Sequence, residues 1–413
     1  KGLSYGKEMA GSVYGWYTGL VYLTPLIGGY IADRYVGARK CIVIGGTLMA
    51  LGHFSLAFSD INMFYLGLGL LVFGNGFFKP NISTTVGKLY GENDPRRDGG
   101  FTIFYMGINL GAFFSPLVCG TLGEKYGWHY GFGAAGVGMV AGLLLYLKLQ
   151  KKYLGDAGML PGAKAIAGKK NEPLTRQEKQ RLAVVFVLAF FVLFFWASFE
   201  QAGSSLTLFA DESTNRGILG WEFPTSWFQS VNPFLIFLLA PLFSIMWIKL
   251  GKKNPSTPAK MAIGLILLAI GMFVMAKGGG YLDAGSDHGV AKVVQTLDET
   301  GKTIGEIKKT DVQVSIWWLM FAYFLFTLGE LCLSPIGLSL VTKLSPIKFG
   351  SMIMGLWFGT NFVANLFSGL FAGNYDKMAK FYFFLVPGMA AGIAGIALLL
   401  LTPRLKTWMH GVQ

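Results

Sequence analysis

The chain has 413 residues, 53% of them hydrophobic and only 14% charged, with a formal net charge of +13. That is too apolar for a soluble globule of this length, whose charges would cover its surface. Here Lys and Arg collect in short clusters between apolar runs of about 20 residues, the length that crosses a bilayer as helix, so the positive balance reads as membrane orientation and excludes a nucleic-acid stripe.

Eleven spans follow in chain order: Ser12 to Ala32, Cys41 to Ser59, Met63 to Val86, Thr102 to Leu122, Gly131 to Leu147, Leu182 to Ala210, Ser226 to Ile248, Ala259 to Ala276, Ile316 to Val341, Ser351 to Gly373, and Tyr382 to Leu401. All are predicted as helices, because hydrocarbon offers the backbone no water to bond and the alternation of barrel strands is missing. Cys41, Cys119 and Cys332 lie in or beside these runs without metal-type spacing and read as reduced core residues. No His-Glu-x-x-His is present and the four histidines are scattered, so an intramembrane enzyme lacks its parts and neither a metal nor another cofactor is expected.

Loops rich in Lys and Arg stay in the cytoplasm. One alternate set of connections holds 23 of these residues and the other 11, which places the start of the first span outside and the C-terminus in the cytoplasm of a multi-pass inner (plasma) membrane protein. An odd span number with an external start suggests twelve helices with the first absent from the sequence. The basic, Gly- and Pro-bearing stretch from Lys148 to Arg181 then reads as a cytoplasmic linker. It divides an N-terminal bundle (residues 1–147) from a C-terminal bundle (182–413), the latter carrying an external insert at 277–311. Within that insert, Val290 to Ile307 reads as a hairpin around Glu299-Thr300-Gly301-Lys302. Gly301-Lys302-Thr303 lacks the leading glycine of a phosphate loop, and Gly131-x-Gly133-x-x-Gly136 opens a membrane helix instead of following a strand, so those glycines are expected to let helices approach closely.

Ionisable groups inside a span cost ~2.5–3.5 kcal/mol each even on a lenient scale and need a reason. Three stand out: Lys79 in Phe78-Lys79-Pro80-Asn81, Glu200 in Phe199-Glu200-Gln201, and Glu330 in Gly329-Glu330-Leu331. Lys79 can snorkel to the nearby interface and Glu200 can sit in a wet vestibule, whereas Glu330 is deep in its run. Burial favours a neutral acid and a neighbouring cation favours the anion, so a carboxylate that alternates between the two loads and releases a proton. Lys79 and Glu330 come from opposite halves, and an ion pair between them is expected to close one side of a central cavity. Pro80, Pro233 and Pro335 allow kinks in a moving bundle, and Asn109, Asn232, Asn361 and Asn365 add polar groups in apolar surroundings.

Gly28-Gly29-Tyr30-Ile31-Ala32-Asp33-Arg34-Tyr35-Val36-Gly37-Ala38-Arg39-Lys40 resembles the loop signature of the major facilitator superfamily. With Phe104-Tyr105-x-x-Ile108-Asn109-x-Gly111 it is similar to the paired signatures of the proton-dependent oligopeptide transporter (POT) family, and the resemblance runs on through Asn232-Pro233 and Gly329-Glu330-Leu331-x-x-Ser334-Pro335. It implies an all-α bundle of two six-helix halves and a symporter that imports di- and tripeptides with protons, driven by the proton gradient with no cofactor, in a lipid bilayer and without nucleic acid. It also implies that Lys79 holds the peptide carboxylate and couples to Glu330, which faces the peptide amino group. Tyr22, Tyr105, Asn109, Trp196, Phe199, Asn232, Ser334 and Trp357 match cavity positions, and Glu200 matches an acidic position that pairs with an arginine on the first helix. Glu200, Glu330 and Lys79 are the expected proton-coupling set. A carrier of nitrate or another small solute, and a non-transporting nutrient sensor on the same fold, stay open as alternatives.

Overall fold

A computed structural model describes residues 5–90, 97–156, 158–159, 174–218, 220–284, 294–297, 303–307, 313–344 and 350–411. Eleven long helices dominate the described residues: α1 (Lys7–Ile31), α2 (Ala38–Leu56), α3 (Ile61–Lys88), α4 (Arg97–Ser115), α5 (Trp128–Leu154), α6 (Arg176–Phe199), α7 (Phe228–Leu250), α8 (Thr257–Asp283), α9 (Trp317–Leu344), α10 (Gly350–Ala372) and α11 (Lys380–Trp408). Each overlaps one of the eleven expected spans. Among the described residues, eight are long and apolar enough by composition alone to cross a membrane, namely all but α1, α2 and α10. Large apolar side chains such as Ile248, Leu400, Ile103 and Trp317 stay exposed along the outer faces, as lipid as solvent permits.

Local chemistry sets the helix ends. The Asp60 carboxylate accepts from the Asn62 and Met63 amides at 2.9 and 3.0 Å and starts α3. Thr175 and Glu178 form a reciprocal capping box that starts α6 inside the stretch expected as linker, whose other end α5 enters as far as Leu154. Residues 160–173 of that linker lie outside the described residues, as does the tip of the expected hairpin at 298–302. The hairpin's arms, Val294–Leu297 and Thr303–Ile307, do pair antiparallel.

Helices α1, α2 and α3 pack together with α5 against α2, while α6, α8, α9 and α11 share one buried core that includes Phe195, Leu265, Met272, Phe326 and Phe384. Two seams join these groups, α1 against α10 and α4 against α7. The first is made by glycines: a Cβ on Gly369 would lie 2.4 Å from Gly15 Cα and 2.5 Å from the Gly11 carbonyl oxygen. Backbone contact of this kind needs small residues on both helices. Gly369→Val is therefore expected to cost roughly 1–3 kcal/mol by overpacking and to lower the Tm of the solubilised protein. An unchanged Tm would show that the seam does not close through these glycines. Gly131 and Gly136 meet the Cys119 carbonyl and the Phe54 ring in the same manner, as expected, whereas Gly133 faces open space.

The expected sixth span is not one continuous helix. After Phe199 the chain tightens into a 3-10 turn at Glu200–Gly203, breaks at Ser204, and resumes as a short helix at Ser205–Glu212. The carbonyl of Ala202, at the break, accepts from Thr207 Oγ1 (3.0 Å), Gln229 Nε2 (2.7 Å) and Tyr323 Oη (3.3 Å). Irregular backbone persists at membrane depth when side chains satisfy it in this way.

Candidate functional site

The break in α6 presents Glu200 to the interior. Asn365 on α10, whose Nδ2 donates to the Asn361 carbonyl at 3.0 Å, and the Lys79 ammonium on α3 are its polar neighbours, the lysine acting across more than ion-pair distance. Lys79 Nζ lies over the Tyr22 ring, 4.1 Å from its centroid, a cation–π contact that partly replaces lost water. Tyr22, on α1, is also within electrostatic range of both Glu200 and Glu330. Tyr22, from the N-terminal group of helices, is thus in contact with the lysine and electrostatically coupled to both carboxylates.

Glu330 is buried on α9. Asn232 on α7 donates from Nδ2 to Glu330 Oε2 at 2.9 Å and to Thr327 Oγ1 at 3.1 Å. Thr327, one turn before Glu330, donates in turn to the Tyr323 carbonyl at 2.8 Å. The asparagine thus carries the glutamate on a side chain fixed at its other edge. Tyr105 on α4 is an electrostatic neighbour of Glu330, and Asn109 one turn later donates to the Tyr105 carbonyl at 2.9 Å.

The expected ion pair between Lys79 and Glu330 is not formed. Lys79 faces Glu200, and the groups nearest Glu330 are Asn232 and, more distantly, Glu200. The sequence places Lys79 and Glu330 in opposite halves, but the carboxylate to which the lysine is electrostatically coupled is Glu200, at the break in α6.

The remaining expected residues occupy different settings. Ser334 follows Glu330 by one helical turn and is part-buried. Trp196 and Phe199 pack edge to face, 5.3 Å between centroids, against the core of the C-terminal helices. Trp357 is buried against Gly337, where a Cβ would come within 2.7 Å of the indole. Tyr14, near Glu200, and Thr327, beneath Asn232, were not singled out by the sequence. Both lie one or two turns from a residue that was, at helical spacing, which is the signal that could have found them.

A second constellation ties the two groups of helices at the N-terminal end of α1. Lys7 Nζ donates to Glu212 Oε2 and Asp376 Oδ1, both at 2.7 Å, and Lys377 Nζ donates to Glu8 Oε2 at 2.6 Å. The other seam is fastened at the tail of α4: Glu124 accepts from the Thr225 and Ser226 amides, and Trp227 Nε1 donates to Thr121 Oγ1 at 2.8 Å. From Gly11 to Gly19 the α1 glycines face α10, and Gly28, on the opposite side of the helix, faces Gly76 of α3.

Lys7 and Glu8 precede the apolar run that begins at Ser12. Burial alone depresses the Lys7 ammonium, but its hydrogen bonds to Asp376 and Glu212 outweigh that and hold it above the ordinary lysine range. A raised cation contributes fully below its unfolded value and is lost only as pH rises through the raised one. The hydrogen bond from Lys377 holds the Glu8 carboxyl below the usual carboxylate range, so that pair persists above the range and is lost only as pH falls through the lowered value. Mild acidification to about pH 5, still above the ordinary carboxylate values, is therefore expected to leave this latch shut, whereas Lys7→Ala is expected to open it. Spin-label distances between the ends of α1 and α10 check both arms; a latch that opens on mild acidification alone would contradict the assignment.

The sequence matches the profile of the POT family over residues 39–155 and 162–384. It is 36% identical to the uncharacterized transporter YclF of Bacillus subtilis over 461 aligned positions, covering all of this chain and 88% of that protein. It is 34% identical to the peptide transporter YePEPT of Yersinia enterocolitica, covering 90% of this chain and 81% of that one. Among solved structures, a crystal structure of a variant of a peptide transporter POT in complex with alafosfalin superimposes with a TM-score of 0.85 at 34% identity, over 99% of this chain and 89% of that one.

Proposed function

This chain belongs to the POT family, and from that membership we infer that it is a proton-coupled symporter importing di- and tripeptides by alternating access between two helix groups. Membership makes it a multi-pass membrane transporter; peptide as cargo is supported by the peptide transporters it is similar to. The observation that carries the reading is the arrangement around Tyr22, whose ring bears a cation from one group of helices and is electrostatically coupled to two carboxylates from the other at membrane depth. A short peptide is a zwitterion. Lys79 supplies a partner for its carboxylate, and Glu330, held open by Asn232, supplies one for its ammonium.

The cation-rich connections place the C-terminus in the cytoplasm, which puts the Lys7 latch and the glycine seam outside. The two helix groups then touch on the external side of the charged site. Outward opening of the unloaded carrier requires these contacts to part, and peptide and proton bound from outside must favour the state in which they close again. Glu200 is suited to the proton step because a buried carboxylate opposite a cation can release its proton, and can take one up when a peptide carboxylate engages that cation instead.

Counterflow of a labelled dipeptide in proteoliposomes, followed by uptake under an imposed inward proton gradient, tests the reading. Peptide exchange that the gradient accelerates supports a symporter. Binding without exchange is the behaviour of a sensor, and exchange of nitrate but not dipeptide is that of an anion carrier.

A further inference from the structure

A groove of about 580 Å³ lies between α2 and α5, on the side of the bundle away from the charged site. Its walls include Val43, Ile44 and Leu147, and its polar rim includes Arg39, Lys40 and Lys151, with no carboxylate among the lining residues. Ile44 and Leu147 are exposed on the face that meets hydrocarbon, while Lys40 and Lys151 are exposed at the end where the chain leaves the membrane. Three cations above an apolar slot are complementary to a group that is anionic at one end and aliphatic at the other.

Arg39 provides an independent observation. Its side chain is 8% exposed, and Nη2 donates to the carbonyls of Gly155 at 2.5 Å and Gln150 at 3.4 Å, at the end of α5. The adjacent backbone is fixed as well, since the Arg39 amide donates to the Gly158 carbonyl at 3.0 Å. Gly37, at φ +89°, lets the chain pass there, and a Cβ on it would lie 2.6 Å from the Met159 carbonyl oxygen. Yet Nε is buried with no hydrogen-bond partner among the described residues. An unpaired guanidinium N–H in a site lined by other cations is costly unless an anion fills it.

We propose that this groove binds an anionic phospholipid of the cytoplasmic leaflet, its phosphodiester held by Arg39 Nε, Lys40 and Lys151 and its acyl chains lying along Val43, Ile44 and Leu147. The site sits at the loop signature, so the lipid fastens α2 to the end of α5. Basic side chains at this depth attract anionic headgroups, and a basic pocket between spans adds a specific position for one.

The test is native mass spectrometry of the full chain in detergent, titrated with phosphatidylglycerol, with phosphatidylcholine of the same acyl chains, or with inorganic phosphate. Phosphatidylglycerol is expected to bind with about tenfold higher affinity than phosphatidylcholine, and Lys40→Gln with Lys151→Gln to remove that preference. Both lysines are exposed and far in sequence from Lys79, Glu200 and Glu330, so retained dipeptide binding certifies that the double variant is folded. Equal binding of the two lipids would overturn the proposal, because it describes annular lipid. An unchanged preference in the double variant would overturn it too, as would displacement of phosphatidylglycerol by inorganic phosphate, which describes a site for a soluble anion.

Discussion

Glu330→Gln is expected to lower gradient-driven peptide uptake by at least a hundredfold while leaving the protein folded. Glutamine keeps the shape of glutamate and still offers an oxygen to Asn232 Nδ2, so the bond to α7 and the contact of Asn232 with Thr327 survive. Only the charge is lost, and with it the ability to exchange a proton and to hold an ammonium group. A neutral side chain there is well solvated by its hydrogen bonds, which is why stability should change little although coupling fails. Concentrative uptake under an imposed proton gradient, compared with Tm, separates the two effects. Full concentrative uptake by the glutamine variant would remove Glu330 from the mechanism.

For Lys79→Ala the expected result is a loss of peptide affinity of about 10–100-fold, the equivalent of one charge-assisted hydrogen bond of ~1.5–3 kcal/mol. The lysine does two things in the structure: its ammonium rests on Tyr22 and it faces Glu200. Removing it therefore takes away the partner of the peptide carboxylate and leaves Glu200 with Asn365 alone. A second consequence follows from the second role. Without the cation, Glu200 has less reason to give up its proton, so the residual uptake should lose its dependence on the gradient as well as its affinity. Calorimetric titration with a dipeptide reads the first effect and gradient-driven uptake the second. Unchanged binding would mean that the peptide carboxylate is held elsewhere.

Lys79, Glu200 and Glu330 were visible in the sequence because a charge within an apolar run is expensive and therefore conspicuous. Asn232 was visible for the same reason in weaker form. Their pairing was not. The expected partner of Lys79 was Glu330, on the ground that the two come from opposite halves, and the structure instead gives it Glu200. The apolar run that contains Glu200 reads straight through, yet the chain breaks at Ser204, because hydropathy does not register a carbonyl that three distant side chains can satisfy. The latch was equally hidden. Lys7, Glu212 and Asp376 are ordinary loop charges in a sequence, and only the close approach of α1 and α10 brings them within 2.7 Å.

What the sequence by itself determined is the class of object: eleven apolar runs whose backbone must bond internally, and a handful of ionisable groups too costly to be accidental. Those follow from the cost of exposing polar groups to hydrocarbon, which every residue feels wherever its neighbours lie. Only the tertiary structure decided which charge faces which, where a helix opens to aim its carboxylate, and which end of the bundle is shut, since each depends on distances between helices that are remote in the chain.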